Sequence, residues 1–191
     1  MILRRVLIGF VAATTLTAAC LAQASDRESD HEALRQVMKK ATAAINAQDV
    51  SALAACLAKE FVFVPVDQTV ITNQQGIVAY FDRMLKGKDA LLASLMVKPE
   101  ADVLTRFVDA NAGYCYGKSV DAYTLKDKRI FMLNVRWTAL VVKEDGQWKA
   151  AAIHTGVDLL DNPVLTARSM SFWRKLGVLL HLVTPPYTMA K

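Results

Sequence analysis

The sequence is poor in the residues that build metal and cofactor centres. Its three cysteines stand at 20, 56 and 115 and its three histidines at 31, 154 and 181, so neither a CxxC pair nor a metal-ligand spacing occurs. There is no phosphate loop, no dinucleotide fingerprint and no GxSxG elbow, and no cofactor or metal is therefore expected. Acidic residues are missing from both ends. Residues 1–24 carry Arg4 and Arg5, and residues 164–191 carry Arg168, Arg174, Lys175 and Lys191, with no Asp or Glu in either stretch. Those six bases account for the whole excess of 23 Lys and Arg over 18 Asp and Glu. The middle of the chain is close to neutral, which argues against a nucleic-acid-binding stripe despite a sequence pI of about 9.2. Internal repeats and low-complexity linkers are also missing. At 191 residues the chain has room for one core-bearing domain and terminal segments, not for two comfortable domains.

At the amino terminus, two arginines precede an uncharged stretch from Val6 to Leu21 and then Ala22-Gln23-Ala24. A basic n-region, an apolar h-region and an A-x-A site form a secretory signal, with cleavage expected after Ala24 and a destination in the periplasm or cell envelope. Thr17-Ala18-Ala19-Cys20 also resembles a lipoprotein box, in which Cys20 would carry the lipid. The domain boundaries follow as 1–24 signal, 25–163 domain and 164–191 tail. Export permits a disulfide between Cys56 and Cys115. Their contexts, an Ala-rich helix and a strand, suit two buried small hydrophobes better.

Leu34, Val37, Met38, Ala41 and Ile45 recur at helical spacing, with Ser29 and Glu32 patterned as a capping box. Asp49 is placed to cap a second helix ending near Lys59. Phe61–Val64 reads as a strand closed by Pro65, and 73–86 as a helix. Beyond Gly87 the pattern becomes strands, at 95–98, 102–109, 114–123, 129–142 and 148–158, with a hairpin signal at Glu144-Asp145-Gly146-Gln147. Helices followed by hairpin-linked strands indicate an α+β domain with an antiparallel sheet.

This order, with Asp145-Gly146-Gln147-Trp148-Lys149 and then His154-Thr155 on the last strand, resembles the nuclear transport factor 2-like superfamily and, within it, the SnoaL-like proteins. The resemblance implies a cone-shaped fold, a curved antiparallel sheet packed on N-terminal helices around a pocket, and a homodimer. It also implies a pocket shared by isomerases, cyclases, dehydratases, epoxide hydrolases and pure binding modules, so fold does not decide function. In the family's ketosteroid isomerases the general base is an Asp just before a Pro at the end of the first strand. Val64 stands there in this sequence, and a Val cannot move a proton. Asp67, two residues beyond Pro65, is the candidate replacement.

Strand alternation puts Trp148, Ala150, Ala152, His154, Gly156 and Asp158 on one face, with small residues leaving space beside His154. His154 and Asp158, some ~13 Å apart along an extended strand, need a ligand or a bend to couple them. The neighbouring strand offers Asn134 and Arg136, and Tyr114, Tyr116 and Tyr123 can supply a hydroxyl, although strand tyrosines usually pack with the OH at the rim. Ligand-pocket candidates are thus His154, Asp158, Asn134, Arg136 and Tyr116, with His154 the one candidate acid or base. A structural reading stands beside this one, in which Arg136 pairs with an acid such as Asp121. In the tail, Phe172, Leu176, Leu179 and Val183 form an apolar helical stripe widened by Trp173, with Arg174 and Lys175 adjoining. Phe172, Trp173, Arg174, Lys175, Leu176 and Leu179 are candidates for contact with a membrane interface, or with the domain or a second copy.

The preferred functional expectation is a non-enzymatic exported module that binds a small apolar or weakly acidic ligand or a protein, not nucleic acid. A lyase or isomerase using His154, and an envelope scaffold acting through the tail helix, are the alternatives.

Overall fold

The computed structural model describes residues 27–157, 170–180 and 182. Residues 27–36 belong to one compact unit and the other described residues to a second. The signal segment, Cys20 and Asp158 lie outside the described residues. In the first unit the chain is helical, Leu34 is buried, and Arg35 pairs with Glu28 at 3.1 Å and Glu32 at 2.9 Å. Ser29 and Glu32 lie within helical residues rather than at a helix start, because the chain is already helical at residue 27, and Glu32 is engaged by Arg35 and Gln36 on the helix surface.

Helix α1 covers residues 27–46. It ends at Gln48, whose φ of 57° lets Asp49 N–H reach Ala44 O at 2.8 Å and Gln48 N–H reach Ile45 O at 3.0 Å. That is the paired-carbonyl closure usually given to glycine. Asp49 then caps α2 (Val50–Ala54), its side chain accepting from Ala52 N–H at 2.9 Å. The helix expected to run to Lys59 stops at Ala54, since Leu57 already begins strand β1 (Leu57–Val64) beside the last strand of the chain. Helix α3 (Gln74–Phe81) starts on the Asn73 cap, and a π-helical turn covers Asp82–Lys86.

Five further strands follow: β2 (Leu92–Ala101), β3 (Arg106–Phe107), β4 (Ala112–Leu125), β5 (Ile130–Glu144) and β6 (Gln147–Val157). The stretches expected at 95–98 and 102–109 are thus one long strand and a two-residue one. Pro99 is tolerated inside β2 because β2 is an edge strand. The sheet is curved and open, in the order β1-β6-β5-β4-β2, with β3 pairing β4. Pairing is antiparallel except for β1 against β6, which is parallel. Asp145 (φ 49°) and Gly146 (φ 75°) make the two-residue β5–β6 turn, whose left-handed pair matches the twist of the strands. Ala44, Leu53, Leu57, Phe61, Ile77, Phe81, Leu85, Leu92 and Ala150 form the core between the helices and the inner face of the sheet.

Candidate functional site

Register decides which side chains face that core. On β6, Trp148 and Ala150 are buried, but Val141 of β5 pairs with Ala150 while Leu140 pairs with Ala152. Ala151 is therefore an extra residue, a bulge that reverses the alternation. Beyond it Ile153 packs with Phe63 against the core, and Ala152 and His154 face outward. The expectation that Trp148 to His154 share one face fails at this bulge.

Tyr116, Thr138 and His154 form one row across β4, β5 and β6, Arg136 lies in the next row and Asn134 in the one after. The structure thus gathers four of the five pocket candidates on one face, and that face is turned away from the core. The same face exposes Val62, Met96, Tyr114, Val120 and Leu140. His154 is exposed, its Nε2 lying 3.3 Å from Gln68 Oε1. Arg136 pairs with Asp102 at 2.6 Å rather than with Asp121. The reason is register: Asp121 opposes Leu133, one residue out of phase with Arg136. Cys56 and Cys115 are both free thiols, and burial pushes both up in pKa.

The inner face carries polar groups that the sequence reading did not bring together as one cluster. Ser119, Asp121 and Tyr123 alternate inward along β4, while Val120 and Ala122 point outward. Ser119 and Asp121 are buried, each 6% exposed. The Ser119 hydroxyl donates to Asp121 Oδ1 at 2.5 Å, and Tyr123 Oη donates to Asp121 Oδ2 at 3.4 Å. Burial raises the Asp121 carboxyl above the ordinary carboxylate range, and the two hydroxyl donors offset only part of that rise. Tyr123 is raised by burial and then by the neighbouring Asp121. Tyr80 of α3, edge-on to Phe81 with ring centroids 5.6 Å apart, is pushed up to about 12 by burial and by Asp67. Asp67 sits in the turn that follows β1, 3.5 Å from Arg83, whose guanidinium lies 5.7 Å from the centre of the Tyr80 ring. Gln68 joins this turn to β6, its Nε2 donating to Thr155 O at 3.3 Å.

Chemically, the cluster offers a carboxyl biased toward its protonated form and two tyrosine hydroxyls that stay protonated at neutral pH. Ser119, Asp121 and Tyr123 are hydrogen-bonded to one another on the covered face of the sheet. Among the described residues no group of His, Cys, Asp and Glu is arranged to hold a metal. The signal in the sequence is the inversion on β4, with polar residues alternating inward and apolar ones outward. Taken by hydrophobicity alone, that strand points the wrong way.

Helices packed on an open curved sheet are the SnoaL-like architecture. The chain belongs to the SnoaL-like domain family, whose model matches residues 26–154. Solved structures share the fold at low identity. A hexachlorocyclohexane dehydrochlorinase, LinA type 2, is 13% identical over 70% of this chain and 88% of that one, with a TM-score of 0.62. A scytalone dehydratase-like protein from Novosphingobium aromaticivorans is 14% identical over 71% and 88%, TM-score 0.61. A protein with a cystatin-like fold from Caulobacter vibrioides is 17% identical over 72% and 94%, TM-score 0.56. At such identities the likeness concerns the fold. No curated protein matches the sequence.

Proposed function

We propose that this chain, after export and removal of residues 1–24, binds a small, largely apolar and uncharged ligand against the inner face of the sheet, without transforming it. The observation that carries this reading is the Ser119–Asp121–Tyr123 cluster, a buried carboxyl held by two hydroxyls of its own strand. Such a carboxyl disfavours an anion beside it and favours a neutral oxygen that can share its hydrogen bonds. Three features support binding over catalysis: Val64 at the family's base position, His154 on the outward face, and both Asp121 oxygens engaged by hydroxyl donors.

A second reading, proton transfer in a lyase or isomerase, is favoured by one observation. Asp67 lies 3.5 Å from Arg83, whose guanidinium sits over the Tyr80 ring, while Asp121 accepts from Tyr123 on the inner face, so each tyrosine has a carboxylate in its neighbourhood. One exposed and one buried carboxyl are the pair of groups such chemistry needs.

The test is native mass spectrometry of the chain purified from its host's envelope, with gentle release of bound molecules. The binding reading expects a stoichiometric neutral ligand released unchanged, and its retention weakened at least about tenfold by Asp121→Asn with Tyr123→Phe, the loss expected when buried hydrogen bonds to a ligand go. Conversion of the released molecule, abolished by Asp67→Asn, would move the assignment to the enzyme. An empty chain, or retention indifferent to the double variant, would overturn both.

A further inference from the structure

The described residues close with helix α4 (Phe172–Leu179), which the ligand site does not use. Ser171 Oγ accepts from Arg174 N–H at 3.4 Å at its start, and Leu182 N–H reaches back to Gly177 O at 2.8 Å at its end. In the middle of the helix Leu176 and Gly177 are half-buried. Its first turn does the reverse. Phe172 is 69% and Trp173 77% exposed, their rings stacked edge to face at 5.6 Å, and Leu180 and Leu182 are 56% and 77% exposed. Four large apolar side chains exposed within eleven residues are more than scattered surface hydrophobes, and they mark a contact surface.

Charge identifies the occupant. Arg174 is exposed beside the two aromatics, Lys175 follows it in sequence, and 164–191 contains four basic residues and no acid. The middle of the chain is close to neutral, so a second copy offers no net negative charge to this basic segment. An anionic bilayer surface offers both charge and a layer that accepts aromatic rings at headgroup depth. Eight residues of helix are about 12 Å long, well short of a ~30 Å hydrocarbon core, and no described helix is long and apolar enough to cross a membrane. We propose that α4 is an interfacial helix that seats this protein on an anionic lipid surface, with Phe172 and Trp173 inserted, Arg174 at the phosphates and the basic charge of 164–191 adding attraction. The helix docked wholly on its own domain would leave no reason for its aromatics to stand in solvent.

The experiment is co-sedimentation of the chain, as released by its host, with vesicles of phosphatidylcholine alone and of phosphatidylcholine mixed with phosphatidylglycerol. Binding is expected on the mixed vesicles only and weakens as salt is raised. Phe172→Ser with Trp173→Ser should reduce it at least tenfold, and Arg174→Gln with Lys175→Gln should remove the salt dependence, each with an unchanged thermal melt. Because every variant keeps the same amino terminus, the difference reports α4 alone. In parallel, Trp173→Phe should abolish the blue shift of tryptophan emission that accompanies binding. Equal binding to neutral and mixed vesicles, or a serine double variant that binds like the parent, would overturn the proposal. So would a serine double variant that changes the oligomeric mass instead, which would give the helix to a second copy.

Discussion

Asp121 shows how a single residue can be misassigned by sequence proximity and corrected by register. Its alternation with Ser119 and Tyr123 was visible in the chain, but which face of β4 is covered depends on helices that lie far off in sequence. The burial of this carboxyl has a definite consequence for pH. A carboxyl raised in the folded state holds its proton when the unfolded chain has already lost it, so stability is greatest below the ordinary carboxylate range and falls as pH rises through the folded value. Asp121→Asn should remove that decline. Urea unfolding of parent and variant, followed from the ordinary carboxylate range up to neutral pH, should give converging stabilities at the acid end and a more stable variant at the neutral end. Parallel curves would show that Asp121 titrates alike in both states. Gly117 is a second residue with a sharp requirement. It opposes Ala101 on one side and Trp137 on the other, and an added Cβ would overlap the Glu100 carbonyl oxygen and the Trp137 ring. Backbone cannot retreat as a flexible side chain can, so Gly117→Ala should cost about 1–3 kcal/mol or more. A thermal melt checks this, and an unchanged midpoint would mean that β2 does not approach β4 so closely.

At the scale of elements, Asn46 joins helix to sheet. It ends α1, and its side-chain amide accepts from Val97 N–H at 2.7 Å and donates to Val97 O at 3.1 Å. Val97 lies on the edge strand β2, where outward backbone groups lack a strand partner. Asn46→Ala leaves both groups without their amide and should cost roughly 1–3 kcal/mol, with faster hydrogen exchange at the Val97 amide as the specific readout. Loss of stability without faster exchange there would place the effect elsewhere. Elements of this kind were legible in part. The apolar period of α1, the Asp49 cap, the hairpin at Asp145-Gly146 and the inward Val135 and Val141 of β5 all follow from local pattern. Three features were not legible, because each belongs to two segments at once: the bulge at Ala151, the early end of α2 beside β6, and the parallel pairing of β1. The π-helical turn after α3 has no sequence marker that separates it from ordinary helix. The bulge mattered most for the site, since it turned His154 outward and left the inner face to β4.

At the scale of the whole molecule, among the described strands chain order and sheet order diverge most widely where β1 lies beside β6, and that place governs assembly. Strands β4, β5 and β6 form a continuous antiparallel meander closed by short connections, while β1 must find β6 across the rest of the domain, pairing Leu57 with Ala150 and Val64 with His154. Loop closure makes the meander cheap to start and the β1 pairing expensive. The meander should therefore be formed in the folding transition state and β1 should dock after it, within a folding time of roughly milliseconds to seconds for such non-local pairing. Val141, buried and opposed by Gly113 on one side and Ala150 on the other, reports on the meander, and Phe63, opposed by Ile153, reports on β1 docking. Val141→Ala should slow folding, and Phe63→Ala should chiefly accelerate unfolding, giving φ-values of roughly 0.5–0.8 and 0–0.3 respectively. Stopped-flow chevrons of the two variants decide between this order and its reverse. If Phe63→Ala slows folding as much as Val141→Ala does, β1 is already in place at the barrier, and the inner face that holds Asp121 is enclosed from the start.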